Sequence, residues 1–428
     1  MEQGNKIVVL GAGVAGIAAA YHLQELGESA VVYEKESTYG GLCNSFKVGE
    51  FTFDTFGHIS FDKATELWLE KTTPYYVHTP EALNYDRKQW LRHPVQNNLY
   101  KLSIEEKIMI IMDFIGRDRD ISADNYAQWL KSTYGNTFAI KYPFRYTRKY
   151  WTVDPELLGT NWIKNRMYVP TLEEILRGAM TTDVPSVHYS GEAHYPKRGG
   201  FKAFLSAMVK KCNIIYNKEV IEIDADNKRL YFQDGKKEEY DYLISTIPLT
   251  ELCNIVKSAP YDIIEEAKKL NYTSAYLVSL GIKGERISPS LWFYIYDEDI
   301  LPARVNAPDW QSPYNVPKGY SALQAEVYFS RFKTIALSEE EVQKAVILQL
   351  ADMGIVKEKD IVIRDIRKVK YANIMFTKDI CKVRNLIHDY LREIQIDWAG
   401  RFGEWDYLWV GQSLMSGRKA AERIKAIC

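Results

Sequence analysis

The residues with the clearest capacity for chemistry are three glycines and an acid near the start of the chain. Gly11, Gly13 and Gly16 follow an apolar run with the spacing Gly-Xaa-Gly-Xaa-Xaa-Gly, and Glu34 comes 18 residues after Gly16. Gly11 allows a tight turn, Gly13 lets the backbone approach a pyrophosphate, and Gly16 lets a helix pack closely on a strand. Glu34 is placed to accept hydrogen bonds from ribose hydroxyls, which favours FAD or NAD over NADP. The spacing predicts a bound dinucleotide, and the alternative is a tight turn without a ligand.

Two strands and a helix must hold this loop if it is to bind a phosphate. The apolar residues 7–10 predict a buried parallel strand, residues 17–26 a helix, and residues 31–33 a second strand that ends at Glu34. The helix N-terminus then faces the phosphate, because its unpaired N–H groups and its dipole favour an anion. An apolar run that enters such a loop so near Met1 indicates a strand rather than a signal peptide.

The composition argues against several classes of function. The chain has 428 residues, with 55 basic and 56 acidic side chains and a formal net charge of -1, so no global field attracts nucleic acid or an anionic membrane. No run of about 18 apolar residues predicts a membrane-spanning helix. Five cysteines without metal-like spacing favour a reduced, cytoplasmic protein with no structural metal site. The 30 tyrosines suit sugar and nucleotide pockets, although an aromatic-rich core explains most of them.

The pattern of predicted elements divides the chain into segments of three kinds. We expect an α/β fold in which residues 1–60, 190–265 and 385–428 form one discontinuous, Rossmann-like domain. Residues 61–189 are expected to be a helical substrate domain. Residues 266–384 contain several alternating runs and are expected to form an antiparallel β-sheet substrate domain. The two inserts would cover the dinucleotide site.

Local signals mark the ends of several elements. Three Ser/Thr–Glu capping boxes predict helix starts: Ser103 with Glu106, Thr171 with Glu174, and Ser338 with Glu341. Near the C-terminal end, residues 408–410 predict a short strand that runs directly into a glycine-containing helix.

Further glycines resemble the cofactor loops of flavoproteins. Gly40-Gly41 follows the second strand, and Gly411 and Gly417 punctuate the C-terminal helix. With residues 240–248, these segments resemble the flavin-containing amine oxidase superfamily. The resemblance implies an FAD cofactor whose flavin faces the N-terminus of the C-terminal helix, where the dipole stabilises negative charge on the reduced ring. The cofactor-binding residues that it implies, beyond the fingerprint, are Gly41, Val220, Arg401 and Gln412.

Six segments narrow the resemblance to one enzyme family. In order along the chain they are residues 56–59; 94–98; 150–155 with Trp162 and Arg166; 195–200; 292–294 with Arg304 and 312–317; and 400–407. As an ordered set they are similar to UDP-galactopyranose mutases, especially the longer eukaryotic type.

This resemblance implies an isomerisation without net redox change. Such mutases interconvert the pyranose and furanose rings of a nucleotide sugar: N5 of the reduced flavin attacks the anomeric carbon and displaces the nucleotide diphosphate. The protein must hold the leaving diphosphate, exclude water and keep the sugar at the flavin. The expected partner is therefore a nucleotide-diphosphate sugar, and the expected pathway is polysaccharide biosynthesis.

Three residues are expected to act in this reaction by their match to the family. Arg166 and Arg304 stand where the family has its two diphosphate-binding arginines, and planar guanidinium groups suit a diphosphate that gains charge as the anomeric bond breaks. Composition alone gives neither arginine priority among 55 basic residues. His58 lies in a segment expected to run over the flavin near N5, where contact with flavin and sugar is favoured over acid–base work.

Five other residues match substrate-binding positions of the family. Tyr294, Tyr371 and Tyr407 correspond to tyrosines whose hydroxyls contact the phosphates. Gln96 and Trp151 correspond to positions on the nucleotide side. For Tyr371 and Trp151, an ordinary core position is the alternative.

The chain also departs from the family pattern. His93 stands where tyrosine is common, and Thr147 where asparagine is usual. The family's Asn-Gln-Asp-His stretch is replaced by a shorter segment at 409–413, closer to general amine oxidases. These departures leave both the base and the sugar open.

Two other functions are compatible with the same sequence. One is an FAD-dependent oxidoreductase of the amine oxidase or protoporphyrinogen oxidase type, which predicts an apolar pocket in place of a diphosphate site. The other is a flavoprotein that binds a nucleotide sugar without converting it. The oligomeric state and the flavin reductant are not predicted.

Overall fold

A parallel sheet carries the glycine loop at one end of its first strand. The computed structural model describes residues 5–61, 73–119, 122–163, 166–185 and 191–428. The five strands of this sheet come from separate parts of the chain: β1 (Ile7–Leu10), β2 (Ala30–Tyr33), β9 (Asn213–Ile215), β13 (Tyr242–Ser245) and β19 (Ile396–Trp398). Their order is β19-β13-β1-β2-β9, and every pair is parallel.

A larger, mostly antiparallel sheet forms the second layer of the molecule. Its seven strands, in spatial order, are β18 (Ile361–Ile374), β14 (Tyr272–Lys283), β17 (Tyr320–Phe329), β16 (Arg304–Asn306), β15 (Trp292–Ile295), β6 (Ala82–Asp86) and β7 (Gln89–Arg92). Only β15 and β6 pair in parallel among these neighbours. The pairing fixes which side chains share a face, and it sets Arg304 directly opposite Glu326.

The remaining strands of the described residues form three smaller sheets. They are the hairpin of β3 (Ser45–Val48) with β4 (Phe51–Asp54), the pair of β5 (Tyr75–His78) with β8 (Ala193–Pro196), and the three strands β10 (Val220–Asp224), β11 (Arg229–Phe232) and β12 (Lys237–Glu239).

The helices lie mainly between 104 and 180 and around the parallel sheet. In chain order they are α1 (Val14–Glu25), α2 (Ile104–Gly116), α3 (Tyr126–Tyr134), α4 (Asn136–Ala139), α5 (Arg145–Tyr150), α6 (Leu172–Met180), α7 (Ser206–Val209), α8 (Leu249–Ile255), α9 (Tyr261–Ala267), α10 (Pro308–Gln311), α11 (Glu339–Asp352), α12 (Ile380–Glu393), α13 (Arg401–Glu404) and α14 (Val410–Lys425). No helix in the described ranges is long and apolar enough to cross a membrane.

Two glycines let α1 approach its neighbours closely. A Cβ on Gly16 would lie 1.9 Å from the carbonyl oxygen of Gly11, and one on Gly417 of α14 would lie 2.1 Å from the carbonyl oxygen of Ala15. Any side chain at either position would push α1 away from the glycine loop or from α14. Helix α1 is therefore held tightly between the loop and the C-terminal helix.

The predicted fold class is confirmed. The chain is α/β, with a Rossmann-like parallel sheet assembled from distant segments, a helical insert and a large antiparallel-rich sheet. The capping boxes at Thr171 and Ser338 are present with both reciprocal hydrogen bonds. Ser103 accepts a hydrogen bond from the backbone N–H of Glu106, but the Glu106 carboxylate accepts from Lys141.

Two local predictions are wrong. The helical insert is not helical at its start, because β5, β6 and β7 occupy residues 75–92 and β6 joins the large sheet beside β15. Residues 408–410 do not form a strand; the strand of this region is β19, and a loop after α13 leads into α14. In the insert, strand pairing outweighs the local pattern, whereas Val410 begins a helix.

Candidate functional site

A cavity of about 1180 Å³ lies at the carboxyl ends of β1, β2 and β13 and is lined in part by the large sheet. This volume exceeds the about 300–1,000 Å³ of an ordinary small-molecule site, so the cavity has room for more than one ligand. Of the sixteen predicted site residues, fourteen line it. The two that do not are Gly16 and Gln412.

The glycine loop forms a backbone-lined cleft at the N-terminus of α1. Gly11 has φ +97°, and a Cβ there would lie 2.4 Å from Thr246 Oγ1. Gly41 has φ +55°, and its Cβ would lie 3.2 Å from the Cα of Gly13. Without side chains at these positions, a pyrophosphate can approach the backbone at the N-terminus of α1, so these residues fit a dinucleotide.

Glu34 follows β2 and turns back toward the same loop. Its carboxylate accepts hydrogen bonds from the backbone N–H groups of Ala12, at 2.6 Å, and Glu36, at 2.9 Å. Burial raises the pKa of Glu34, while these two bonds oppose that rise. The carboxylate is thus oriented at the cavity wall, as a ribose hydroxyl would require. Val220, at the start of β10, lines the cavity as well.

His58 lies in a segment that crosses the cavity wall against β16. A Cβ on Gly57 would lie 2.3 Å from the side-chain amide of Asn306, so this segment packs directly on the strand. Burial, with the charges of Arg401 and Arg304, lowers the pKa of His58 to about 3. The imidazole is therefore neutral at neutral pH.

Arg304 is held by an acid that the sequence analysis missed. Its Nε and Nη2 donate to the carboxylate of Glu326 at 2.9 and 2.8 Å, which is a bidentate pair. Glu326 is 0% exposed and also accepts from the Tyr328 hydroxyl at 2.6 Å. Burial alone would lower the pKa of Arg304. The charge of the Glu326 carboxylate outweighs this effect, so the pKa of Arg304 lies well above its usual value. The pair fixes the guanidinium, and it also compensates its charge.

Arg166 reaches the cavity from the helical insert and contacts the C-terminal segment. Its Nη2 donates to the backbone carbonyl of Tyr407 and, at 2.9 Å, to Gln412 Oε1. The guanidinium lies 4.3 Å from the ring centre of Tyr407 and 4.5 Å from that of Trp409. Gln412 also accepts from the Trp409 N–H at 2.9 Å at the start of α14. Gln412 thus contacts Arg166 and the helix start and lies off the cavity surface.

Arg401 supports the same C-terminal segment from α13. Its Nε and Nη2 both donate to the carbonyl oxygen of Leu408, at 2.9 and 2.7 Å. These bonds hold the loop that carries Tyr407, while the side chain still lines the cavity.

The predicted substrate-binding aromatic residues contact further rings in the cavity wall. Tyr294 lies 4.9 Å from the ring of His93 and 5.4 Å from that of Tyr146. Tyr407 lies 6.1 Å from Trp151, which is buried. The nearby Gln96 amide donates to the Tyr168 carbonyl at 3.3 Å.

Tyr371 is engaged with polar groups of α8. Its hydroxyl lies 2.7 Å from Thr250 Oγ1 and donates to Glu251 at 2.7 Å. Burial raises the pKa of Tyr371, so the phenol stays protonated.

Six tyrosines of the wall, three buried and three half-buried, were not assigned a role from the sequence. Burial raises the pKa of every one of them, so each remains a neutral hydroxyl that can donate a hydrogen bond. The only sequence signal was the high tyrosine count. These residues are Tyr126, Tyr134, Tyr146, Tyr150, Tyr296 and Tyr328.

Comparison with known proteins places this cavity in a family. The profile of the flavin containing amine oxidoreductases matches residues 188–425, more than half of the chain. The chain belongs to the flavin-containing amine oxidoreductase family. A second profile, of NAD(P)-binding Rossmann-like domains, matches residues 9–69, which contain the glycine loop. Flavin is therefore the cofactor class of this family member.

Solved structures agree with the resemblance drawn from the sequence. A reduced UDP-galactopyranose mutase superposes on this chain with a TM-score of 0.90 and 25% identity, over 99% of this chain and 96% of that one. A putrescine oxidase variant gives a TM-score of 0.66 at 14% identity, over 99% of both chains, and so shares the fold. The predicted likeness to the mutases within the amine oxidase superfamily is confirmed.

Curated relatives match only a short part of this chain. A zeta-carotene-forming phytoene desaturase from Myxococcus xanthus is 50% identical over 52 residues, which are 12% of this chain and 10% of the desaturase. A 4,4'-diapophytoene desaturase from Staphylococcus aureus (strain COL) is 45% identical over 49 residues, again 10% of its length. The chain spans about a tenth of the length of each of these relatives. Among the described residues, no group of three or more His, Cys, Asp or Glu side chains is arranged to hold a metal ion.

Proposed function

We propose that this protein is an FAD-dependent mutase that interconverts the pyranose and furanose forms of a nucleotide-diphosphate sugar and requires reduced flavin. One observation carries the proposal: Arg166 and Arg304, from distant segments, line a single cavity with the glycine loop. The full-length likeness to a reduced UDP-galactopyranose mutase at 25% identity supports it.

The cofactor would be held mainly by backbone and by a few oriented side chains. Gly11, Gly13 and Gly41 leave the pyrophosphate cleft open, and Glu34 presents an oriented carboxylate to the ribose. When bound, reduced FAD supplies a nucleophilic ring nitrogen and no net oxidation is needed. We assign Val220, Arg401 and the His58 segment to contacts further along the same cofactor.

The leaving diphosphate would lie between the two arginines. Arg304 keeps Nη1 outside its bidentate pair with Glu326, and Arg166 stands over two aromatic rings. Each is held in place before a ligand arrives, which lowers the entropy lost on binding. Tyr294 and Tyr407 add neighbouring phenols to the phosphate site.

The nucleotide and the sugar would occupy the aromatic wall. We assign Gln96 and Trp151 to the nucleotide side and Tyr371 to the phosphates. Because His58 is neutral and half-buried at the cavity wall, we assign it to contact with flavin and sugar rather than to work as a cationic acid. The wall tyrosines would help to exclude water from the reacting groups.

One observation favours a second candidate, an FAD-dependent oxidoreductase. The carboxylate of Glu326 compensates the charge of Arg304, which weakens the attraction of this site for a diphosphate. The 52-residue match to a phytoene desaturase is compatible with this alternative. An oxidoreductase would act on a reducing substrate and would not depend on either arginine for diphosphate binding.

Diphosphate binding separates the two candidates. UDP titrated into the reduced, FAD-loaded protein is expected to perturb the flavin absorbance. Arg166→Lys and Arg304→Lys each remove planar, paired donors and should weaken UDP at least about 10-fold, since a charge-assisted hydrogen bond contributes about 1.5–3 kcal/mol. Arg364→Lys is the control, because Arg364 is exposed and pairs with Glu358 away from the cavity. UDP binding that is absent, or equal in all variants, would contradict the proposal.

A further inference from the structure

Lys149 is a buried cation that lies outside the cavity wall. It belongs to α5 and is 3% exposed. Its Nζ donates to two backbone carbonyls, those of Asp297 at 2.6 Å and Pro302 at 2.7 Å. A lysine is almost never buried to this degree without partners, because its ammonium loses its hydration. The two carbonyls replace that hydration and hold the ammonium at one point.

The Lys149 ammonium bridges the two ends of the loop that joins β15 to β16. Asp297, at one end, comes three residues after Tyr294 of β15. Pro302, at the other end, comes two residues before Arg304 of β16. Tyr294 and Arg304 lie opposite each other in the pairing of the two strands. Lys149 therefore closes this hairpin beside the two residues that we assign to the diphosphate.

Helix α5 leads into the nucleotide side of the cavity. Tyr146 and Tyr150 of the helix line the cavity, and Trp151 directly follows its last residue. The Tyr146 ring lies 5.4 Å from that of Tyr294, so the helix and the hairpin meet in the wall. Lys149 thus joins the backbone of the nucleotide side to the backbone of the diphosphate site.

Two other cations of α5 reach the same loop, and neither duplicates this contact. Arg148 pairs with Glu298, but the two side chains are 35% and 39% exposed, so the pair contributes little to holding the loop. Arg145 reaches the Asp297 carboxylate at 3.5 Å, which is a long contact to one end of the loop. Lys149 is the buried cation of this helix, and it contacts both ends.

An effect of Lys149 on a ligand must pass through these neighbours, because its side chain is not part of the cavity wall. Burial lowers the pKa of Lys149 well below its usual value, and the charge of the Asp297 carboxylate opposes this shift. Both of its hydrogen bonds act on backbone. They fix the path of the loop rather than the rotamer of one side chain.

We propose that Lys149 is a positioning residue that fixes the spacing between the diphosphate site on the β15–β16 hairpin and the nucleotide side at the end of α5. This inference rests on the proposed function, because it concerns the same nucleotide diphosphate. Without the ammonium, both ends of the loop lose their contact to α5. Arg304 keeps its pair with Glu326, but the hairpin is no longer held at a fixed distance from the helix.

Two ligands of different length test this role in the reduced, FAD-loaded full chain. UDP would span both sides, whereas inorganic pyrophosphate would occupy the diphosphate site alone. Lys149→Met should weaken UDP binding about 10-fold and change pyrophosphate binding less than about 3-fold, measured by anaerobic isothermal titration calorimetry. Arg148→Met is the matched control from the same helix and should leave UDP affinity within about 2-fold, because its ion pair is exposed.

The possible results separate this role from the mutase proposal. Unchanged UDP affinity in Lys149→Met, or equal weakening of UDP and pyrophosphate, would overturn the positioning role and leave the mutase proposal standing. A wild type that binds no UDP would overturn both. Flavin content and the thermal midpoint report whether each variant folds. If Lys149→Met retains no flavin, Lys149→Gln takes its place, since its amide keeps two N–H donors on a shorter side chain, and the same two affinities decide.

Discussion

Glu326 determines how Arg304 is presented to the cavity. The carboxylate is fully buried, pairs with two nitrogens of Arg304 and accepts the Tyr328 hydroxyl. A fully buried carboxylate depends strongly on its counter-charge, which here is the half-buried Arg304 guanidinium. Glu326 therefore fixes the Arg304 guanidinium, and its negative charge offsets part of the positive charge that Arg304 presents to the cavity.

Removing the negative charge of Glu326 should destabilise the protein. Glu326→Gln leaves the Arg304 guanidinium without its buried counter-charge, and we expect the free energy of unfolding to fall by about 3 kcal/mol. Urea denaturation measures the change. The matched control is Glu358→Gln, whose partner Arg364 is 44% exposed, and its effect should stay under about 1 kcal/mol. Equal effects of the two variants would show that the Arg304–Glu326 pair contributes no more to stability than an exposed ion pair.

Asp54 gives the protein a pH-dependent stability. Its carboxylate accepts from Ser45, Tyr195 and the Phe201 N–H, and burial raises the pKa of Asp54 from its ordinary 3.8 to about 6. A folded-state pKa above the unfolded one means that the contribution to stability is present at low pH and is lost as pH rises through about 6.

The variant Asp54→Asn removes this titration. Between pH 4 and pH 7, the stability of the wild type relative to Asp54→Asn should fall by about 2 kcal/mol. Denaturant unfolding of both proteins across this range measures the difference. A difference that is constant with pH would mean that the pKa of Asp54 is unchanged by folding.

Sequence and structure agree on which arginines reach the cavity but not on what surrounds them. Arg166 and Arg304 were identified through short family motifs, and both line the cavity. Glu326 was missed because its pairing depends on the register of β16 against β17, over 22 residues of intervening chain. The wall tyrosines were not assigned because the tertiary fold, and not the local sequence, decides which tyrosines face the cavity and which lie in the core.

At the scale of elements, the opening β-α-β unit was predictable and the first strands of the insert were not. The unit has a local glycine signature and continuous apolar strands. The β6–β7 hairpin turns at Arg87 and Lys88, with φ +47° and +64°, where Gly or Asn would have signalled a tight turn. In addition, β6 pairs in parallel with β15, about 200 residues further along the chain, and the local sequence gives no signal of such a distant partner.

We expect a side chain at Gly11 to weaken the binding of the cofactor by the glycine loop. Gly11→Ala places a Cβ 2.4 Å from Thr246 Oγ1 at φ +97°, and we expect FAD affinity to fall at least about 10-fold, measured as flavin retained on gel filtration. Gly27→Ala is the control: it has a similar φ of +84°, but its Cβ would meet nothing within 4 Å. Equal flavin loss in the two variants would mean that backbone strain, and not the filling of the cleft by the new Cβ, causes the loss.

At the scale of the whole molecule, we propose the domain division suggested by the sequence. Residues 1–60, 190–265 and 385–428 would form the FAD-binding domain, and 61–189 and 266–384 the substrate domains. The parallel sheet draws its strands from all three parts of the first set. The pairing of β6 with β15 joins the two substrate domains into one sheet, so they are expected to move together over the cofactor.

The central claim is that the cavity isomerises a nucleotide sugar on reduced flavin. The most direct measurement is anaerobic incubation of the dithionite-reduced, FAD-loaded protein with a panel of nucleotide-diphosphate sugars, followed by chromatography of the products. We predict a new isomer of the same mass from at least one sugar, formed only with reduced flavin and lost in Arg304→Lys. If every nucleotide sugar is recovered unchanged while the reduced flavin is fully loaded, the mutase account is contradicted.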